Sequence, residues 1–256
     1  GAGAAAGGSG ADFPPVRSMS RIQVVFFDAA GTLFHVKGSV AEIYLDHAEK
    51  YGVKRTPELL AAINTAFARA FNDAPAPLFA ATEPAEIKQC ERLWWFDVVH
   101  NVWYRVGMFD GFDDYFDEVF QAFDGPDRWA LYPETLDVLT HLREQGLELG
   151  IVSNFDSRLF NVLRGLDIAD LFATVTISSL AQAAKPAPKI FQVALDKHAM
   201  EPTEALHVGD SLREDVEGAT KAGLASVWIN REAAIVPAHT SAIWSLAELP
   251  ALIKSL

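Results

Sequence analysis

Ile22-Gln23-Val24-Val25-Phe26-Phe27-Asp28-Ala29-Ala30-Gly31-Thr32-Leu33-Phe34 is the stretch that decides the fold. Five of its first six residues are apolar and two are adjacent valines, which predicts a strand buried on both faces. The run stops at a carboxylate followed by a glycine turn. Asp28 is therefore expected at the carboxyl end of a central strand, the edge at which open α/β sheets bind ligands. Gly31 and Thr32 let the backbone curl close to whatever Asp28 touches, and Thr32 adds a hydroxyl beside it.

Downstream of Leu131 the pattern alternates. Helices are predicted over Pro133–Gln145, Ser157–Leu166, Lys189–His198 and Arg213–Ala222. Strands are predicted over Leu147–Ser153, Phe172–Ile177, Ala205–Val208 and Ala225–Ile229, with an edge strand at Ala242–Trp244. This β-α-β order implies an α/β fold, a Rossmann-like parallel sheet covered on both faces. Between Gly38 and Arg128 only helices suggest themselves, at Val40–Tyr51, Pro57–Asn72, Pro84–Val106 and Phe112–Phe123. The expected organisation is a core of residues 21–36 and 129–256, a helical insert at 37–128, and a linker-like leader at 1–20. The insert's aromatics, among them Trp94, Trp95, Phe96, Trp103 and Tyr104, read mainly as its own core.

Composition narrows the function classes. The chain has 256 residues, half of them apolar, a formal net charge of −13 and one cysteine, Cys90. The charge disfavours nucleic acid and anionic membranes as partners. A lone cysteine permits neither an internal disulfide nor a thiolate zinc cluster, so any metal should be a hard cation on oxygen ligands, such as magnesium. With no apolar run near 20 residues and no secretory signal, a cytoplasmic protein is expected, as monomer or homodimer.

Four predicted strand ends carry polar residues: Asp28, Ser153-Asn154, Lys185 in Ala-Lys-Pro-Ala-Pro, and Gly209-Asp210-Ser-Leu-Arg-Glu-Asp215. Parallel strands deliver these to one rim. There Asp28 and Asp210 could clamp magnesium, and Ser153 and the Asn154 N–H could hold phosphate oxygens. Lys185 would supply a point charge, with Asp215 orienting ligands from behind. His207 reads as a satisfied core or edge histidine, His35 as a solvent-facing flap residue with a substitute proton shuttle as the alternative, and Asp156 as a helix cap that could also approach the site.

These four segments, in this order, resemble the motifs of the haloacid dehalogenase (HAD) superfamily. Ile-Val-Ser-Asn-Phe-Asp-Ser-Arg-Leu (151–159), Lys-Pro-Ala-Pro-Lys-Ile-Phe (185–191) and His-Val-Gly-Asp-Ser-Leu-Arg-Glu-Asp-Val-Glu-Gly-Ala (207–219) are similar to its REG-2-like, HDHD-type branch. The resemblance implies a C1-type helical cap closing over a small phosphorylated substrate. It also implies Asp28 as nucleophile, with Asp28, the Ala30 carbonyl and Asp210 as Mg2+ ligands. Ser153 and Lys185 would then be catalytic phosphate holders, and Thr32 and Asn154 substrate contacts. Family phosphatases carry a second Asp where this chain has Ala30, and a methyl group moves no proton. The expectation is a magnesium-dependent phosphatase with weakened acid-base help. The alternatives are a metal-independent 2-haloacid dehalogenase, a phosphonatase using Lys50, Lys54 or Lys88, and a non-catalytic phosphate-binding member.

Overall fold

The computed structural model describes residues 22–256, so the leader expected at 1–20 lies outside the described residues. The chain opens with β1 (Val24–Phe27) and a short β2 (Phe34–Val36). Four helices follow: α1 (Val40–Ala48), α2 (Pro57–Asp73), α3 (Pro84–Val106) and α4 (Phe112–Ala122). β3 (Trp129–Leu131) then pairs antiparallel with β2, matching His35 to Ala130. The alternating part runs through α5 (Thr135–Glu144), β4 (Glu148–Ser153), α6 (Leu159–Gly165), β5 (Thr174–Ile177), α7 (Ser178–Ala181) and α8 (Pro188–His198). It finishes with β6 (Ala205–Gly209), α9 (Gly218–Lys221), β7 (Ala225–Ile229), β8 (Ala242–Ile243) and α10 (Leu249–Lys254).

Six strands form one parallel sheet in the order β5-β4-β1-β6-β7-β8. β1 is central, as its apolar run required, and its four residues are fully buried. The strand's period of two divides them. Val25 and Phe27 enter the core beneath α5, α6 and α10, whereas Val24 and Phe26 pack on the opposite face with Ile190, Phe191 and Leu195 of α8. Each such side chain contributes about 1.5–3 kcal/mol on leaving water, so no polar substitution in this strand is cheap.

Helices α1 to α4 surround a separate apolar cluster that includes Tyr44, Ile63, Val99, Trp103, Tyr115 and Phe116. Local signals set their ends. Ser39 and Glu42 exchange hydrogen bonds as a capping box before α1, and Thr56 caps α2 with Pro57 at its first turn. Two of its aromatics pair their polar atoms: the Trp103 indole donates to the Tyr115 hydroxyl (2.9 Å), which donates to the Tyr44 carbonyl (3.0 Å). Tyr104, expected in this core, is 76% exposed and stacks on His100. One residue on from buried Trp103, it is turned about 100° round the helix, away from the packed stripe.

The segment predicted as a single helix at 213–222 is in two parts. Leu212–Glu217 is a widened π-type turn in which the Val216 N–H donates to the Ser211 carbonyl, and α9 takes over at Gly218. No helix among the described residues is long and apolar enough to cross a membrane.

Candidate functional site

Asp28 stands one residue beyond β1, its backbone N–H donating to the Val208 carbonyl of neighbouring β6 (2.9 Å). The chain then turns at Gly31, whose N–H donates to the Phe34 carbonyl (2.8 Å) at a φ of +84°. A Cβ built on Gly31 would lie 2.3 Å from Asp210 Oδ2. Glycine is thus required twice here, for the left-handed backbone and for the close approach of Asp210.

Lys185 joins the rim from the loop between α7 and α8. It is almost completely buried, and its Nζ lies 3.0 Å from Asp28 Oδ1 and 2.6 Å from Asp215 Oδ1. Burial alone would lower its pKa, but the Asp215 and Asp28 charges overcome this and hold the ammonium above its usual range. Asn154, expected to meet substrate, uses its side chain to fix Lys185. Its Oδ1 accepts from the Lys185 N–H (2.9 Å) and its Nδ2 donates to the Lys185 carbonyl (3.0 Å). Ser153, the last residue of β4, is buried and its Oγ accepts from the Phe155 N–H (3.1 Å).

Asp215 turns inward from the widened turn. Oδ1 accepts from Lys185 and stands 2.8 Å from His207 Nε2, while Oδ2 accepts from the Ser211 N–H (3.0 Å). Burial would raise its pKa, yet Lys185 and His207 hold it well below the carboxylate range. Asp210 shows the opposite balance. The residue keeps an exposed face, but its carboxylate points into the Gly31 turn, where lost solvent and then the charges of Asp28 and Asp215 push its pKa up. Its carbonyl accepts from the Trp228 indole (2.9 Å).

One oxygen each from Asp28, Asp210 and Asp215 can be chosen so that all three lie within 4.8 Å. Among the described residues Lys185 is the one cation bonded to this trio, so negative charge is left in excess there, an environment suited to a divalent cation on hard oxygen ligands. Because Asp215 is already engaged by three donors, Asp28 and Asp210 are the better placed ligands.

The remaining expected residues are less central. Thr32 is fully buried, its Oγ1 lacks a partner among the described residues, and its carbonyl accepts from Arg231 (2.7 Å). His35 donates from Nδ1 to the Val36 carbonyl (2.9 Å) with its ring against Tyr132. Asp156 accepts from the Arg158 N–H (3.0 Å) and from the Arg158 guanidinium (2.8 Å), but it is not the helix cap expected of it: Arg158 itself stands at the N-cap of α6, and no side chain caps that helix.

Other participants were not evident in the sequence. Glu91 of α3 is buried, accepting from the Ser157 N–H and hydroxyl (both 2.5 Å). Trp95, one helical turn on, donates to Asp156 (2.7 Å), and Arg158 donates to the Phe120 carbonyl of α4 (2.9 Å). The inserted helices are therefore seated on residues 156–158, immediately beyond Ser153. A signal for Glu91 did exist: it falls four residues after Ile87 and four before Trp95, inside the helix's inward stripe.

The haloacid dehalogenase-like hydrolase family matches residues 22–223. The chain is 29% identical over 243 residues to haloacid dehalogenase-like hydrolase domain-containing protein 3 of Danio rerio, covering 91% of this chain and 97% of that one. It is 38% identical over 105 residues to a phosphoserine phosphatase of Thermus thermophilus, 41% of this chain and 42% of that one. Among solved structures, a magnesium-bound HAD hydrolase of Bacillus subtilis superposes with a TM-score of 0.69 at 20% identity, covering 91% of this chain and 99% of that one.

Proposed function

The chain belongs to the haloacid dehalogenase-like hydrolase family, in its HDHD-type branch, and from that premise we propose that it is a magnesium-dependent phosphatase acting on a small phosphorylated molecule through Asp28. The observation that carries this reading is the placement of Lys185 between Asp28 and Asp215, with Asp210 facing Asp28 across the Gly31 turn. An Oδ of Asp28 attacks phosphorus, the bond to the leaving oxygen breaks, and an aspartyl-phosphate remains for water to hydrolyse. Lys185, its Nζ 3.0 Å from Asp28 Oδ1, orients the nucleophile and offsets charge on the transferring group. Ser153 and the Asn154 N–H line the anion, Asn154's side chain keeps Lys185 in register, and Thr32, being buried, shapes the loop. Magnesium, held by Asp28, Asp210 and the Ala30 carbonyl, would neutralise phosphate charge. We assign residues 37–128 as a cap and residues 21–36 and 129–256 as the core.

Ala30 contributes no proton, so turnover should favour leaving groups that depart as stable anions; loss of a general acid-base group costs about 10²- to 10⁴-fold. The test is phosphate release from aryl phosphates of graded leaving-group pKa, with and without magnesium, for wild type and Asp28→Asn. The expected result is magnesium-dependent release, steeply dependent on the leaving group and abolished by the substitution. Release that survives Asp28→Asn would overturn the mechanism. Halide release from a 2-haloacid, unaffected by chelator, would replace it with the dehalogenase reading.

A further inference from the structure

His207 lies in the middle of β6, fully buried, with its ring edge-on to Phe191 at 5.0 Å. A histidine satisfied within a core would have both nitrogens paired. Here Nε2 meets Asp215 Oδ1 at 2.8 Å and Nδ1 has no partner among the described residues. A carboxylate only accepts, so the proton is on Nε2. A second proton on Nδ1 would be a buried donor facing no acceptor, which costs about 1–3 kcal/mol. The ring is therefore a neutral donor. Burial, only partly offset by Asp215, acts in the same direction by lowering its pKa.

Resting on the hydrolase reading, we propose that His207 is a positioning residue, which acts through Asp215 to set how Lys185 is divided between Asp215 and the nucleophile Asp28. The argument follows from what Asp215 Oδ1 receives: Lys185 Nζ at 2.6 Å on one side and His207 Nε2 at 2.8 Å on the other. Oδ2 is occupied by the Ser211 N–H, and a Cβ on Gly209 would come within 2.0 Å of Asp215 Cγ, so the backbone allows no retreat. Without the histidine, Oδ1 loses the donor that opposes Lys185. The carboxylate then turns toward the ammonium and draws Nζ away from Asp28, now 3.0 Å distant. A neutral donor suits this role because it orients Asp215 without cancelling the charge that Lys185 answers. A cation at position 207 would compete with Lys185.

The matched test is His207→Met against His207→Gln, side chains of similar length and volume, of which only glutamine donates. Wild type, both variants and Asp28→Asn are compared for aryl phosphate turnover, for inorganic phosphate binding with magnesium, and for thermal melting. Loss of such a supporting partner costs about 10- to 100-fold, and that loss is expected in kcat of His207→Met, with KM little changed and a native melt. Glutamine should restore activity to within about threefold, the remainder reflecting imperfect placement of its amide. Equal turnover of His207→Met and wild type, or equal failure of glutamine and methionine in folded protein, would overturn the proposal. Should the methionine variant not fold, nitrogen-15 NMR of the wild-type imidazole decides. An Nε2–H tautomer held across neutral pH supports the assignment, and an Nδ1–H or doubly protonated ring ends it. If wild type and Asp28→Asn are equally inert, the phosphatase reading has failed, and the tautomer still reports on His207 alone.

Discussion

The inserted helices and the sheet rim bury their polar groups by opposite means. In the helical cluster the Trp103 indole, the Tyr115 hydroxyl and the Tyr44 carbonyl form a neutral chain of donors and acceptors. At the rim, Asp28, Lys185 and Asp215 are charged, and Lys185 and Asp215 are both almost wholly out of solvent. A neutral chain that loses one member forfeits a hydrogen bond. A charged cluster that loses one member leaves the rest uncompensated, so the same change in bond count has very different consequences. The first arrangement holds a shape. The second holds a charge distribution with negative charge in excess, suited to a divalent cation, in which Lys185 is fixed between Asp28 and Asp215.

The largest effect that tests this contrast is expected from Lys185→Met. It abandons Asp28 and Asp215 to each other, and breaking a buried pair from one side costs about 3–5 kcal/mol. Chemical denaturation should show that loss, and phosphate release should fall to background. A variant that melts like wild type would mean that the carboxylates had found other partners. Next comes Tyr115→Phe, which strands the Trp103 N–H and costs about 1–3 kcal/mol of stability. Its kcat should equal wild type's, because the neutral chain touches nothing at the rim; a drop in kcat would erase the distinction between the two regions.

The smallest effect belongs to the seam between them. Burial raises the pKa of Glu91, with the Ser157 hydrogen bonds opposing this. The folded protein therefore binds this proton more tightly than the unfolded chain does. Below the usual glutamate range Glu91 is protonated in both states and exacts no penalty. As pH rises from that range through the raised value, the folded state loses stability that Glu91→Gln, which cannot ionise, retains. The melting temperature of Glu91→Gln relative to wild type should therefore climb with pH across that window and then level off. A flat difference would place the ionisation of Glu91 outside the energetics of the seam.

Much of this organisation was legible in the sequence because apolar periodicity reports burial. The strand at Ala225–Ile229 and the helix at Pro84–Val106 have the bounds expected of them, the carboxylates just past β1 and β6 meet at one rim, and Asn154 just past β4 bonds the Lys185 backbone. What stayed hidden depends on pairing across the fold. His207 alternates correctly for an inward strand position, and nothing in its neighbours reveals that the residue opposite it is Asp215. The break in the helix expected at 213–222 has a similar origin. Helical propensity favours a continuous α-helix, but the wider turn from Ser211 to Val216 carries Asp215 to Lys185, and three donors, of which Lys185 and His207 are buried, outweigh one regular turn. That the Asn154 side chain fixes Lys185 was not legible either, since a side chain that clasps another residue's backbone leaves no trace in local sequence.

Phe34–Val36 and Trp129–Leu131 run side by side, so the chain departs for its helices and comes back through a two-stranded stalk, closed by the Lys37 N–H on the Arg128 carbonyl at 2.8 Å. Ends already held together make the length between them nearly free to vary, because closing a longer loop adds only a logarithmic entropy cost. Whole helices can thus be lengthened, trimmed or exchanged above the stalk while the rim beneath keeps its geometry.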